Sequence, residues 1–335
     1  GNTVVGSDNY IILANGLSVK TGASMMVKSD GNFVQNNDEA ENAGNITVER
    51  AITLKRLDYI YWASPVKNQN LKSFSPGTAN NRFYTYNEGT NLFEEINPLT
   101  NSFGNSAEGN FESEAKGYAV RANNSYPAAT ATNPAPMQLF NAQFTGMPNN
   151  GKISFPLALK SATTGSGNNL VGNPFPSNID FNLLVKNNRD LIEGTAYLWT
   201  NVNPNPAMQG SNYPNGGYFI NYVTLNKIGG IPATMGKSAV ISNNPTQIIK
   251  IGQAFIVKAK KSGSLVFDNQ IRSLDANSSF INKSATGSSP SPDRFWLHLT
   301  SPLGVVTTTL IGYAEDAQDS YDKDEDAKLL VVGDD

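Results

Sequence analysis

The chain has 335 residues, a formal net charge of −3 and only 16% charged residues, and it contains no cysteine. The absence of cysteine excludes disulfides, thiolate metal ligands and cysteine nucleophiles. Because the chain has no basic stripe, we expect no nucleic-acid partner. Because it has no run of about 18 apolar residues, we expect no membrane insertion. The chain is longer than one hydrophobic core usually supports, so two or more packed units are expected.

Short strands separated by glycine turns are predicted over residues 1–57. The predicted strands are residues 10–13, 17–20, 24–28, 32–35 and 46–50. Apolar residues alternate with polar ones and reset at a glycine, which is typical of solenoid rungs and equally of a β-meander. The run at residues 36–45 has three acids and no large apolar residue, and it predicts a mobile loop.

An imperfect internal duplication begins at residue 59. Segments 59–66, 81–87 and 115–122 recur in the same order as segments 169–176, 194–200 and 251–259. The sequence therefore predicts two related β-sandwich-like units, residues 58–160 and residues 161–273. The second unit carries an insertion at residues 201–242 that is rich in Asn, Gly and Pro, which is typical of long surface loops.

Two further strands and one helix are predicted in the two units. Each unit is expected to end in a strand that returns to its core, at residues 137–144 and 263–269. The one predicted helix is residues 179–189, with Ser177 or Asp180 as its cap.

The C-terminal part is predicted to hold a linker, residues 274–293, and a partial β unit, residues 294–335. The linker is rich in Ser, Asn and Pro. The unit opens with a hairpin of two alternating strands that contains His298, the single histidine of the chain. Neighbouring residues supply neither a hydrolase triad nor further metal ligands, so we expect a structural role for His298. The predicted fold class is therefore all-β.

Several short segments resemble a family of long, repetitive surface and adhesin-like proteins of Bacteroidota that are exported by the type IX secretion system. The segments are residues 15–35, 172–177, 252–259, 267–272 and 294–313, with the acidic tail that follows. The resemblance implies an exported β protein that is extracellular or on the outer cell surface, and it implies no catalytic residues. The family's C-terminal sorting domain is not visible before Asp335. Either the chain is part of a longer one or its export route differs.

Five aspartates of the acidic tail are the candidate metal ligands. They are Asp316, Asp319, Asp322, Asp324 and Asp326. Ca²⁺ takes six to eight oxygen ligands, so this density of carboxylates is what a calcium site needs. The EF-hand pattern is absent, because Ala327 and Gly333 occupy its glycine and glutamate positions when counted from Asp322. A solvated acidic loop is the alternative, and no other cofactor is expected.

Aromatic side chains of the insertion are the candidates for ligand binding. They are Tyr213, Tyr218, Phe219 and Tyr222. Planar rings present a large rigid area at low entropic cost, and they stack on sugar faces. Trp62 and Trp199, one in each repeat, are expected to fill the two cores.

No residue pattern predicts catalysis. A glycosidase pair could be drawn from Glu94, Glu95, Glu112, Glu114 and Asp180, but that chemistry depends on a spatial separation that the sequence does not show. We therefore expect a non-enzymatic, exported cell-surface protein with a structural or adhesion role, whose partner is an extracellular polysaccharide or protein. The alternative is a carbohydrate-binding module of a polysaccharide-degrading surface enzyme.

Overall fold

The all-β prediction is confirmed: the chain folds into several sheets with two short α-helices in the part that is described. The structure is a computed structural model. It describes residues 1–105, 113–130, 133, 135–160, 167–201, 222–231, 246–274, 293–300, 306–313, 317–328 and 330.

The first region is a short β-solenoid. Its strands are β1 (Asn2–Val5), β2 (Tyr10–Leu13), β3 (Ser24–Val27), β4 (Asn32–Gln35) and β5 (Ile46–Leu54). Strand β3 pairs in parallel with β1 and with β5, and β2 pairs in parallel with β4. A meander would pair consecutive strands antiparallel, so the parallel pairing selects the solenoid of the two alternatives. The predicted strand at residues 17–20 is reduced to one bridge, between Ser18 and Ala43.

The run at residues 36–45 is fixed by side-chain amides, and the prediction of a mobile loop is wrong. Asn42 Oδ1 accepts hydrogen bonds from Leu17 N and Gln35 Nε2, both at 2.8 Å. Asp38 Oδ1 accepts a hydrogen bond from Asn269 N at 2.9 Å. Asn and Asp side chains can replace backbone partners, so a polar segment can be ordered without apolar contacts.

The first unit is built from one short helix and strands on two sheets. Its elements are β6 (Tyr59–Trp62), α1 (Leu71–Phe74), β7 (Phe83–Asn87), β8 (Leu92–Glu95), β9 (Tyr118–Arg121) and β10 (Gln138–Gly146). Four strands form an antiparallel sheet in the order β6-β9-β7-β8. Strand β10 pairs antiparallel with β5. Helix α1, capped by Asn70, was not predicted from the sequence.

The second unit has more short strands. Its elements are β11 (Ile153–Leu157), β12 (Asn168–Gly172), β13 (Asn178–Asp180), α2 (Phe181–Asn187), β14 (Ile192–Trp199), β15 (Tyr222–Leu225), β16 (Gly230–Ile231), β17 (Ile248–Ile249), β18 (Ala254–Ala259), β19 (Gly263–Phe267) and β20 (Arg272–Ser273). The main sheet has the order β12-β18-β14-β15-β16, and β11 pairs with β19. Asp180 caps α2, the predicted helix, by accepting hydrogen bonds from Asn182 N and Leu183 N.

The duplication is visible in the topology. The sheet order β6-β9-β7-β8 is repeated as β12-β18-β14-β15, and the pair β5·β10 is repeated as β11·β19. This pairing makes β5 the first strand of the first unit and β11 the first strand of the second unit. Each unit therefore begins one strand before its predicted first residue, 58 or 161. Strand β5 serves two regions: it pairs with β3 of the solenoid and with β10 of the first unit.

Two cores fill the body of the molecule. The first is shared by the solenoid and the first unit and contains the fully buried Trp62, Phe33 and Phe144. The second lies within the second unit and contains Phe175 and Phe255. Because side chains alternate along a strand, residues between the core-facing positions of the two main sheets, such as Tyr61 and Ile256, point away from these cores and pack in a third cluster between the units.

The C-terminal hairpin consists of β21 (Arg294–Thr300) and β22 (Val306–Gly312), paired antiparallel with Phe295 opposite Ile311. Trp296 Nε1 donates a hydrogen bond of 3.2 Å to the Gly230 carbonyl, so this face rests on the second unit. The opposite face is exposed, including Leu299 at 75%. In the described part of the chain, no helix is long and apolar enough to cross a membrane.

Candidate functional site

An apolar cluster with eight aromatic side chains lies where the two main sheets face each other. One of them, Tyr197, is fully buried and donates a hydrogen bond to the tail at Lys328 O. We call the other seven the aromatic junction: Tyr59, Tyr61, Tyr84, Tyr86, Phe93, Trp199 and Tyr222. Tyr61 is buried, whereas the other six are half-buried. The junction therefore has both a packed interior and a rim that solvent reaches.

Strand periodicity places these rings. Ile60 and Trp62 of β6 enter the first core, so the intervening Tyr61 must point toward the second unit. In the second unit Trp199 of β14 lies directly opposite Tyr222 of β15. Residues from both repeats thus meet on facing sheets.

Tyr61 is the centre of the ring contacts. Its ring centroid lies 5.8 Å from that of Trp199 in a stacked arrangement and 5.3 Å from that of Phe93. The Trp199 and Tyr222 rings meet edge to face at 5.4 Å. Such pairs are worth about 0.5–1.5 kcal/mol each beyond the area they bury.

The polar ends of the rings are hydrogen-bonded across the junction. The hydroxyls of Tyr61 and Tyr222 lie 2.7 Å apart. Burial raises the pKa of both phenols, so both are neutral at physiological pH. Asn201 joins the units: its Nδ2 donates to the Tyr59 carbonyl at 2.8 Å and its Oδ1 accepts from Trp199 Nε1 at 3.2 Å.

Of the four predicted ligand-binding aromatics, the structure places Tyr222 in this junction. Tyr213, Tyr218 and Phe219 lie outside the described residues. They belong to segment 202–221, whose two flanking residues, Asn201 and Tyr222, are both in the junction. The first residue of the predicted insertion, Asn201, and one residue inside it, Tyr222, therefore lie at the aromatic rings.

Sequence reasoning missed the ring partners from the first unit. A signal for them exists in the period-two repeats Tyr59-Ile60-Tyr61 and Tyr84-Thr85-Tyr86, which place tyrosines on one face of each strand. Trp62 fills the first core as expected, at 1% exposure. Trp199 does not fill the second core; it lies between the units and is half-buried, because its side chain points out of that core.

The predicted metal ligands of the tail make other contacts. Asp322 Oδ1 accepts a hydrogen bond from Asp324 N, and Asp326 Oδ2 accepts one from Asp322 N, both at 2.8 Å. The Asp324 carboxylate pairs with Lys260. Asp319 is exposed, and Asp316 lies outside the described residues. Among the residues whose positions are described, no group of three or more acidic or histidine side chains is arranged to hold a metal ion.

The tail is docked on the second unit. Lys323 O accepts a hydrogen bond from Gly194 N, and Lys328 O accepts one from the Tyr197 hydroxyl, both at 2.9 Å. Leu330 is buried in the apolar cluster between the units. The acidic segment is thus part of the folded body.

Three of the remaining candidate groups, His298, Asp180 and Glu94, have structural partners. His298 Nδ1 lies 2.8 Å from Thr308 Oγ1 on the neighbouring strand of the hairpin. Asp180 caps helix α2, and Glu94 accepts a hydrogen bond from Asn87 Nδ2 at 2.7 Å. Glu95 is exposed, Glu114 is half-buried and Glu112 lies outside the described residues.

The architecture defines an all-β protein in which a solenoid precedes two copies of one sheet topology that meet at aromatic rings. The chain belongs to the family described as a domain of unknown function, DUF8693, which matches residues 1–334. Comparisons with curated proteins and with solved structures find no match.

Proposed function

We propose that the protein is an exported, cell-surface binding protein of adhesion type, without catalytic activity, and that the aromatic junction contacts its ligand. The observation that carries the proposal is the half-buried rim of aromatic rings contributed by both units. Large rigid rings that keep part of their surface in solvent are enriched at binding sites, since they bury much area at low entropic cost.

The surface address is proposed from the resemblance of segments 172–177 and 267–272 to proteins exported by the type IX system. The two segments are in contact in the fold, because Arg272 Nε donates a hydrogen bond of 2.8 Å to Ser177 Oγ. Its guanidinium carbon also lies 4.7 Å from the centre of the Phe175 ring. Labelling of intact cells that produce the protein tests the address. Signal confined to lysed cells would contradict it.

A carbohydrate-binding module is the second candidate. It is favoured by the position of Trp199, which is half-buried and whose indole nitrogen donates a hydrogen bond to the Asn201 side-chain amide. Sugar recognition commonly combines a ring face with nearby amides, which offer donors and acceptors to hydroxyl groups.

The decisive experiment is a binding screen of the full chain on a glycan array and on a panel of extracellular matrix proteins. A glycan hit selects the carbohydrate-binding candidate, and a protein hit selects adhesion to protein. Trp199→Ala and Tyr222→Ala should each weaken the hit by about tenfold or more, as expected for aromatic anchors.

Tyr10→Ala is the matched control, because Tyr10 is an exposed aromatic residue in the separate two-stranded sheet β2-β4 of the solenoid and is not part of the junction. It should leave the affinity unchanged. Equal loss in all three variants, or no loss in either junction variant with unchanged melting temperature, would remove the junction as the ligand site.

A further inference from the structure

One surface of the second unit holds the end of the acidic tail, residues 321–328 and 330. In the described part of the chain, the hydrogen bonds and ion pairs that this segment makes outside itself all go to the second unit. We call this surface the tail site, and its polar lining consists of Glu193, Gly194, Tyr197, Asn226, Lys227 and Lys260.

Charges in the tail site match those of the segment in register. Three consecutive residues of the tail each face an opposite charge: Lys323 faces Glu193, Asp324 faces Lys260 and Glu325 faces Lys227. A shift of the segment by one residue in either direction would bring at least one pair of like charges together. Charge patterns of this kind fix the register of an interface and disfavour wrong partners. The tail site is therefore specific for this order of charges.

The tail site also admits the backbone of the segment at Gly194. Strand β14 is irregular between Ile192 and Ala196, and in this stretch Gly194 N donates a hydrogen bond of 2.9 Å to Lys323 O. A Cβ on Gly194 would lie 1.9 Å from the Asp324 carbonyl oxygen, and the three nearest atoms all belong to the Asp324 backbone. The close approach at this glycine is thus made by the tail.

The segment keeps its shape through contacts of its own. Glu325 N and Asp326 N both donate to Asp322 O, at 3.2 and 2.7 Å. The Asp322 and Asp326 carboxylates accept backbone hydrogen bonds within the same turn. A segment that is ordered before docking loses less conformational entropy when it docks. The turn can therefore be presented to the tail site as a unit.

Two further contacts extend the tail site toward the cluster between the units. The Tyr197 hydroxyl donates to Lys328 O at 2.9 Å, and Leu330 is 1% exposed within that cluster. The docked segment thus combines a charged, self-supported turn with an apolar anchor two residues beyond Lys328. A polar rim around a buried apolar anchor is the usual anatomy of a protein interface.

Every copy of the chain carries the segment that fits the tail site. Exchange of an identical segment between copies preserves all of its contacts. We propose that the tail site is an interface between copies of this chain, in which residues 321–330 of a second copy take the place of the chain's own segment. The tether gives the chain's own segment an effective concentration of about 1 mM, so linking requires crowded copies.

The test uses two full-length variants that no longer dock their own tails. Gly194→Ala keeps the tail and blocks the site, because the methyl group overlaps the Asp324 carbonyl. The second variant keeps the site and reverses the charges of the tail with Lys323→Glu, Asp324→Lys and Glu325→Lys. In a mixture, the free tail of the first variant meets the open site of the second. The control mixture has Gly194→Ala added to the second variant, so it contains no open site.

We expect each variant alone to be a single chain and their mixture, at about 0.1 mM of each, to contain a complex of two chains by light scattering. The Gly194 amide of the isotope-labelled second variant should exchange about tenfold more slowly in the mixture. The complex should weaken at about 1 M salt, because salt screens the ion pairs. Absence of the complex, or an equal complex in the control mixture, overturns the proposal.

Trypsin cleavage after Lys323 checks that Gly194→Ala releases the tail. Cleavage should be about tenfold faster than in the parent chain. An unchanged rate would mean that the site does not hold the tail, and it would also overturn the proposal. If amide exchange at β9 and β18 shows that Gly194→Ala disturbs folding, Lys227→Glu with Lys260→Glu serves as the blocked variant, since neither lysine is buried. The same outcomes then decide the proposal.

Discussion

Gly172 and Ala63 meet where β12 and β6 end, and a Cβ on Gly172 would lie 2.4 Å from the Ala63 Cβ. The two positions are matched strand ends of the duplicated units. Backbone hydrogen bonds cross the boundary here: Gly172 N donates to Ala115 O at 2.9 Å, and Ala63 N donates to Gly252 O at 3.0 Å. The units are joined through small residues that allow their backbones to approach closely.

Gly172→Ala should therefore destabilise the protein by roughly 1–3 kcal/mol, since the added methyl group would overlap Ala63 and Ala254, whose short side chains cannot move aside. Gly6→Ala is the control, because a Cβ there would meet only the Asn9 Nδ2 atom, at 3.3 Å. The control should be neutral or slightly stabilising. Urea denaturation measures both, and equal free energies of unfolding for the two variants would contradict the close approach.

Arg272 fastens the solenoid to the second unit. Besides Ser177 and Phe33, its guanidinium donates to Asn150 Oδ1 at 3.2 Å and to Asn269 Oδ1 at 3.1 Å. Burial lowers its pKa to about 9, while the Asp38 charge opposes that shift. Arg272→Met should cost roughly 3 kcal/mol or more, because several buried acceptors lose their donor.

Arg272→Lys should recover only part of that loss, since an ammonium cannot reproduce the planar fork. The exposed Arg189 supplies the control: Arg189→Met should change the free energy of unfolding by less than about 0.5 kcal/mol. Chemical denaturation compares the three variants. A full recovery by lysine would show that charge alone, and not the geometry of the fork, matters at this position.

Asp58 should make stability depend on pH. It is 2% exposed in the turn between β5 and β6, and burial raises its pKa from 3.8 to about 6, against the opposing hydrogen bond from Lys55 N. As the pH rises, this carboxyl loses its proton at a lower pH in the unfolded chain than in the folded protein. The free energy of unfolding should therefore fall by about 3 kcal/mol in total on account of this group as the pH rises from about 3 to about 7, with about 2 kcal/mol of that fall between pH 4 and pH 6.

Asp58→Asn keeps an oxygen that accepts from Lys55 N but cannot ionise. The variant should be more stable than the parent at pH 7 and should show a smaller fall from pH 4 to pH 6. Asp8→Asn, at an exposed position, is the control. Urea melts at several pH values measure the difference, and parallel pH profiles for parent and Asp58→Asn would refute this role.

The calcium hypothesis for the tail is tested by melting the full chain in EDTA and in millimolar Ca²⁺. Because Asp324 contacts Lys260 and the Asp322 and Asp326 carboxylates accept backbone hydrogen bonds, we expect equal melting temperatures. A calcium site would instead stabilise the fold by about 2.7 kcal/mol at a hundredfold excess over its Kd. A shift in the parent that is absent after Asp322→Asn, Asp324→Asn and Asp326→Asn together would establish the site.

Local patterns were enough to predict several strands and helix α2, but not helix α1. Strands β2 and β4 match their predicted bounds, and helix α2 begins directly after Asp180, one of the two predicted caps. Period-two alternation and an N-cap act over a few residues, so they can be read without knowing the fold. Of the junction residues, the sequence predicted only Tyr222. It did so because the composition of the insertion differs from the rest of the chain, whereas the strands that contribute the other rings have an ordinary alternating pattern.

The sequence by itself determined the all-β class, because alternation, glycine and proline act locally, and it showed the duplication as segments repeated in the same order. The tertiary structure decided that the first strands pair in parallel, that residues 36–45 are ordered, and that Trp199 lies between the units. These outcomes depend on contacts between distant segments, such as the hydroxyl pair of Tyr61 and Tyr222, which are 161 residues apart. Which surfaces meet is set by the packing of whole sheets, and no short stretch of sequence encodes that choice.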